Sequence, residues 1–269
     1  MVARIDRTGE ERINSFGSKM VIKEYRKWND IDVYFPEYDW TFNHVRYDTF
    51  KKGNIKCVYE RRTYGVGYLG EGKYNSRENG KLTKCYNIWI HMLERCYDPK
   101  LQEKEPTYKG CTVEDYLLNF QNFAHWYENN YYEVLGERMH LDKDILCKGN
   151  KVYSRDTCIF VPQRINNLFT KRDNDRGNDP IGMTLTPSGN YQVKCNNGYG
   201  EDIYLGVYST KEEAFQVYKQ YKEKIIKDVI DSYEGIIPEP HYSRLREAMY
   251  NYEVKMYDWF LTKSWINVL

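Results

Sequence analysis

The sequence predicts an α+β protein built from small units. Three observations lead there. Residues 13 to 57 alternate apolar and polar in short pieces, the pattern of half-buried strands. Helical spacing takes over at Cys85 and continues to Tyr127. A strand–turn–strand–helix run over 139–167 and a three-strand-plus-helix run over 181–226 complete the chain's regular pattern. A length of 269 residues suits one large or two to three small domains, and the patterns divide it at 1–76, 77–170 and 178–269. Hydrophobic residues make up 41%, enough for several modest cores. The 27 tyrosines supply rings with an apolar body and a polar tip, which suit thin domains and wet interfaces alike.

In the first segment, Met20-Val21-Ile22 and Ile31 to Phe35 read as strands, punctuated by Gly17 and Pro36. Lys51 and Lys52 stand beside the turn glycine Gly53 and serve either as a solvated rim or as phosphate contacts. Residues 61 to 80, which open with Arg61 and Arg62, are glycine-rich and basic and read as a flexible linker. Gly65-x-Gly67-x-x-Gly70 has the form of a dinucleotide fingerprint, but no parallel βαβ pattern follows it, so that reading is set aside. Residues 1 to 76 hold 14 Lys/Arg against 11 Asp/Glu, whereas the whole chain is only +1. Any phosphate-binding face must therefore come from local clustering.

In the second segment, Tyr86, Trp89, Ile90, Leu93 and Tyr97 fall at helix spacing, and Asp98-Pro99 stops the run. Tyr108 to Val113 reads as a turn and short strand. Tyr116, Leu117, Phe120, Phe123, Ala124 and Tyr127 form the core stripe of a second helix. The seven cysteines are odd in number and none has Cys-x-x-Cys spacing, which points to reduced thiols. Cys85, His91, Cys96 and Cys111 match no common zinc spacing. The N-terminus carries no signal-peptide core, and no apolar run reaches membrane-spanning length, so the expectation is a cytoplasmic protein with no membrane partner.

Residues 139 to 167, MHLDKDILCKGNKVYSRDTCIFVPQRINN, carry the chemistry. On a strand, His140, Asp142 and Asp144 share one face and Lys143 points the other way. Gly149-Asn150 turns the chain, Ile159 to Val161 returns, and Pro162 opens a helix that presents Asn166 and Asn167. Carboxylate and amide oxygens on such a frame suit Mg²⁺ or Mn²⁺. The same pattern also suits a plain hairpin with a polar rim.

The ordered signals Trp89-x-x-Met92-Leu93-x-Arg95-Cys96-Tyr97, Tyr108-x-Gly110, Phe120-x-x-Phe123-x-x-Trp126, Leu141-Asp142-Lys143, Tyr153-Ser154-x-x-x-Cys158-x-Phe160 and Gln163-x-x-Asn166 resemble the HNH homing-type endonucleases of bacteriophages. The resemblance covers roughly residues 85 to 170. It implies a ββα-metal core with one divalent cation, Mg²⁺ or Mn²⁺, held by Asp142 and Asn166. Lys143 stands where that family has its histidine base, and Thr157 where it has an orienting asparagine. His140, Lys143 and Asp144 compete for the role of base. A neutral Lys143 would need its pKa lowered by about three units, roughly 4 kcal/mol, so Lys143 is expected to stay charged and grip the scissile phosphate.

Lys171 to Asp179 is polar throughout and reads as an interdomain linker. Beyond it, three short strands lead to Thr210-Lys211-Glu212-Glu213, a capping box, and then to a helix with Ala214, Val217, Tyr218, Tyr221, Ile225 and Ile226 inward. The tail from Tyr242 is expected to be helical, with Trp259 and Trp265 packed. Ile181-Gly182-Met183, Gly189-Asn190-Tyr191, Tyr204-Leu205-Gly206-x-Tyr208 and Thr210-x-Glu212-Glu213-Ala214-x-x-x-Tyr218 are similar to the Apetala/ethylene-response-factor DNA-binding domain. That resemblance implies a sheet laid in the major groove, with Thr184, Lys194, Asn196 and Tyr204 facing double-stranded DNA. Lys51, Lys52, Arg61 and Arg62 are the phosphate contacts expected from the first segment. Together the resemblances imply a phage-encoded DNA endonuclease acting in the cytoplasm of an infected bacterial cell. A DNA-binding protein with an inactive HNH core is the alternative.

Overall fold

The computed structural model describes residues 5–169 and 181–256. The linker expected at Lys171 to Asp179, and Trp259 and Trp265, lie outside the described residues. The fold is mixed α+β with several small sheets, and it divides into two compact units, Met1–Asn129 and Asn130–Leu269. No helix among the described residues is long and apolar enough to cross a membrane.

The first unit opens with an antiparallel meander, β1 (Glu11–Ile13), β2 (Lys19–Lys27), β3 (Asp30–Phe35) and β4 (Trp40–Val45), in sheet order β1-β2-β3-β4. The alternation of β3 buries Ile31, Val33 and Phe35 on one face. Met20, Ile22 and Trp40 join them, and Phe50 of α1 (Tyr47–Lys51), Ile55 and Cys57 close the core. Two small strands follow, β5 (Arg77–Glu78) and β6 (Lys81–Leu82). Thr83 caps α2 (Lys84–Tyr97) by accepting from the Tyr86 N–H at 3.2 Å. That helix buries Trp89, Met92, Leu93 and Cys96, as its spacing requires. Asp98 ends it and caps α3 (Pro99–Lys104). The strand β7 (Thr112–Val113) leads to α4 (Asp115–Leu118) and α5 (Phe120–Asn130).

Two sequence expectations change here. The stripe from Tyr116 to Tyr127 is two helices, not one, because Asn119 takes an extended conformation between them. Its backbone neighbours are paired elsewhere: Tyr68 N–H donates to Leu118 O at 3.1 Å, and Phe120 N–H donates to Tyr68 O at 2.9 Å. The partner in both bonds belongs to residues 61 to 80, which are ordered against the helices and are not a flexible linker. Their glycines mark close approach. A Cβ on Gly67 would stand 2.4 Å from Leu93, and one on Gly70 would stand 2.3 Å from the Asn119 amide. The near-fingerprint of glycines is therefore a packing feature.

The second unit contains β8 (Met139–Asp142), β9 (Val152–Tyr153), β10 (Ile159–Pro162) and α6 (Gln163–Phe169). β10 pairs antiparallel with β8, with Ile159 opposite Asp142 and Val161 opposite His140. Pro162 is the last residue of β10, opposite Met139, and the helix begins one residue later than the sequence suggested. An antiparallel sheet follows, β11 (Met183–Leu185), β12 (Tyr191–Asn196) and β13 (Asp202–Tyr208), then α7 (Lys211–Asp231) and α8 (His241–Tyr250). The helix expected from Tyr242 onward thus ends at Tyr250, and Asn251 to Met256 is not helical.

One helix serves two cores. The first half of α7 buries Ala214, Phe215 and Tyr218 with Met183, Val193 and Cys195 of the three-stranded sheet. Its second half buries Ile225, Ile226, Val229 and Ile230 with Ile159, Val161, Ile165 and Leu168 of the hairpin and helix, and with Leu245 and Met249 of α8. A division between residues 170 and 178 therefore separates segments that bury their apolar faces on the same helix.

Candidate active site

The hairpin and the helix after it bring two of the expected residues into contact, His140 and Asn166, with Asp142 on the same strand. His140 and Asp142 are two apart on β8 and so point to one face. From the first turns of α6, the Asn166 side-chain amide reaches back to within 3.3 Å of His140 Nδ1. All three side chains are half-buried. Arg164, on the same helix, fixes its approach: Nε donates to Gly198 O at 2.9 Å, and the guanidinium lies 3.7 Å from the centre of the Tyr199 ring. Asn167 is exposed.

Asp142 holds the turn that follows. Its Oδ1 accepts from the backbone N–H of Asp144 at 2.8 Å and of Ile145 at 2.7 Å. These bonds favour the charged form, but burial and the nearby Asp144 carboxylate outweigh them, and the carboxyl is pushed up to about 6. A carboxylate disfavoured in this way is stabilised by a cation placed beside it. Carboxylate and amide oxygens are donors that Mg²⁺ or Mn²⁺ accepts, with water completing the shell.

Asp144 is not on this face by strand alternation, because β8 ends at Asp142 and Asp144 lies in the bend beyond it. Lys143 is only 6% exposed. Its ammonium donates to Asp144 Oδ2 at 3.1 Å and sits 5.7 Å from the centre of the Tyr153 ring. The phosphate grip expected of Lys143 needs an accessible ammonium, and this one is buried in an ion pair. Thr157 is held within its own turn: its hydroxyl lies 2.7 Å from Ser154 Oγ and 3.0 Å from Val152 O.

The amide that bridges the two strands of this turn is Asn150. Its Nδ2 donates to Lys143 O and to Val152 O, both at 2.7 Å, while its Oδ1 accepts from Val152 N–H at 3.1 Å. One amide thereby ties the strand exit at Lys143 to the start of β9. Sequence reasoning saw only a turn here; the available signal was an asparagine placed directly after the positive-φ Gly149.

The expected DNA-facing residues share one side of the three-stranded sheet. Met183, Val193 and Cys195 point into the core, so Thr184 and Lys194, one step along, point to solvent. Lys194 stands opposite Tyr204, which is 57% exposed, and Thr184 stands opposite Gln192. Asn196 is committed to the turn, donating to Asp202 Oδ1 at 3.2 Å and accepting from Gly198 N–H at 3.0 Å. In the first unit Lys51, Lys52 and Arg61 are exposed, and Arg62 is half-buried. Arg61 donates to Val66 O at 3.2 Å.

Among the described residues, Asp30, Asp32 and His44 form the one close group of carboxylates and imidazole. The Arg26 guanidinium already fills it, 3.0 Å from Asp30 and hydrogen-bonded to Asp32. This is an ion-pair cluster whose cation is arginine. The seven thiols are all free. No protein-family model, curated protein or solved structure matches the chain.

Proposed function

We propose that the chain is a metal-dependent DNA endonuclease of the HNH type, with His140, Asp142 and Asn166 as its working residues. The observation that carries this reading is the 3.3 Å contact of Asn166 on α6 with His140 on β8, two residues along the strand from Asp142. A divalent cation bound by Asp142 and Asn166 would offset charge on a phosphodiester. Of the three candidates for base, His140 is favoured: Lys143 is paired and buried, and Asp144 lies in the bend with that lysine. His140 takes the proton of the attacking water as its oxygen bonds to phosphorus, and the leaving oxygen is protonated from solvent. Asn150 positions the strand exit, and the exposed residues Thr184, Lys194 and Tyr204 with the lysines of the first unit supply contacts to double-stranded DNA.

A second reading has its own observation. The residue at the family's base position, Lys143, is buried against Asp144, which fits a DNA-binding protein with an inactive core. Supercoiled DNA incubated in Mg²⁺ or Mn²⁺ separates the two. The first reading expects nicked or linear product from the wild-type chain, and none from Asp142→Ala or His140→Ala, with DNA affinity kept within about twofold. DNA binding without cleavage by the wild type selects the second reading.

A further inference from the structure

An exposed phenylalanine in the first unit is held out by a buried polar network. Phe16 sits at the tip of the turn between β1 and β2 and is 49% exposed. Beneath it, Asn14 is 5% exposed and Glu60 is 4% exposed. Asn14 Oδ1 accepts from the Phe16 and Ser18 N–H groups, both at 2.9 Å. Its Nδ2 donates to Ile55 O at 3.0 Å and to the Glu60 carboxylate. The other oxygen of Glu60 has no hydrogen-bond partner and lies 3.7 Å from Arg62 Nε. Burying a carboxylate and an amide costs stability unless they are well bonded. Here the cost holds an apolar ring in water, where the ring gains nothing from burial.

Cations surround that ring. Arg62 lies 4.8 Å from its centre and Lys56 5.4 Å. The turn also docks on the end of α1: Ser15 N–H donates to Gly53 O at 2.9 Å, and a Cβ on Gly53 would stand 3.2 Å from Ile13 O. Gly53 directly follows the exposed Lys51 and Lys52. One half-exposed aromatic ring is thus flanked by two basic side chains, and the turn that carries it docks at the helix end that bears two more, in a protein whose net charge is only +1.

We propose that Phe16 is a stacking platform for an unpaired base of a DNA strand, whose phosphates lie on Lys51, Lys52, Lys56 and Arg62. Single-strand binding sites combine a π-face, which every base can use, with cations that follow the backbone. A base stack on an aromatic ring is stronger than a cation–π contact at an exposed site, so an arriving base displaces Lys56 toward a phosphate. The Arg62 contact with Glu60 is made through Nε, so the fork of its terminal nitrogens is not what meets the carboxylate. The proposal rests on the DNA-binding half of the function above and not on cleavage.

The test is fluorescence anisotropy of the full chain with labelled oligodeoxythymidine and with a labelled duplex, in EDTA so that no cleavage occurs. Phe16→Ala should weaken single-strand binding about tenfold while changing duplex binding less than about twofold. Phe16→Tyr should restore it. Lys56→Gln should lower the salt slope of single-strand binding by about 0.7. Matching thermal melts of Phe16→Ala and Phe16→Tyr separate lost stacking from lost fold. If the wild-type chain fails to bind the single strand, or Phe16→Ala binds it as the wild type does, the platform is overturned, and duplex cleavage at Asp142 is untouched by that result.

Discussion

The two units bury their cores in different ways. The meander of the first unit closes over residues 20 to 57, and every side chain in that core is near its partners in sequence. The second unit gathers Val134 through Leu168 onto Ile225 through Met249, and the same helix also serves the three-stranded sheet. A local core closes within its own stretch of chain. A helix with two apolar halves makes one cooperative body out of what the sequence presents as two.

The comparison breaks most sharply if α7 is removed. Ending the chain at Ser209 strips both cores of the second unit at once. Hydrogen exchange should then find no protected amides between residues 139 and 208, while the strands of residues 11–45 keep theirs. Protection surviving in β11, β12 and β13 would show that the sheet folds without the helix.

A matched pair of truncations sharpens it. Ile31 and Ile226 are both fully buried, and either to Ala should cost about 2–4 kcal/mol. Ile31→Ala should lower protection only within residues 11–57. Ile226→Ala should lower it in both the hairpin and the three-stranded sheet, because the second unit opens as one. Loss confined to the hairpin would contradict the shared-helix account.

Smaller effects come from the carboxylates. Asp142 binds its proton more tightly in the fold than in the unfolded chain, so its contribution to stability falls as pH rises from about 4 to about 6. Asp142→Asn keeps the Oδ1 acceptor for Asp144 and Ile145 but removes the charge. It should stabilise the chain at pH 7.5 by at most about 3 kcal/mol, with the gain gone by pH 4. An equal gain at both pH values would mean that the charge is not the cause. Asp30 has the opposite sign: its hydrogen bond with Arg26, then that with His44, holds its carboxyl down to about 2. Its contribution is present above about 4 and is lost toward pH 2. Asp30 is half-buried at the surface, where solvent screens its pairs, so Asp30→Asn should lower the melting temperature only slightly at neutral pH and less still at pH 2.

Much of this was legible in the sequence because periodicity reports which face is buried. Trp89, Leu93 and Phe123 sit where helix spacing puts them, and the Thr210 cap marks the start of α7, accepting from Glu213 N–H at 3.3 Å. What sequence did not show is what depends on distant backbone. Glycines at 67 and 70 look alike in a linker and in a close packing contact, and only the positions of Leu93 and Asn119 distinguish them. The break at Asn119 needs Tyr68 beside it. At the site, strand alternation placed His140 with Asp142 but carried Asp144 along, because alternation does not say where a strand stops. The burial of Lys143 and the two hydrogen bonds from Asn150 to Lys143 O and Val152 O were hidden for the same reason: both depend on how the chain between the two strands folds back.

The central claim is that Asp142 and Asn166 hold one hard divalent cation. Electron paramagnetic resonance of free Mn²⁺, titrated with the chain in the absence of DNA, tests it without reference to activity. The account predicts that the wild type removes one equivalent of Mn²⁺ from the free signal, that Asp142→Ala and Asn166→Ala each abolish this, and that Asp30→Asn leaves it intact. Undiminished binding in both Asp142→Ala and Asn166→Ala, or no binding by the wild type, would contradict it.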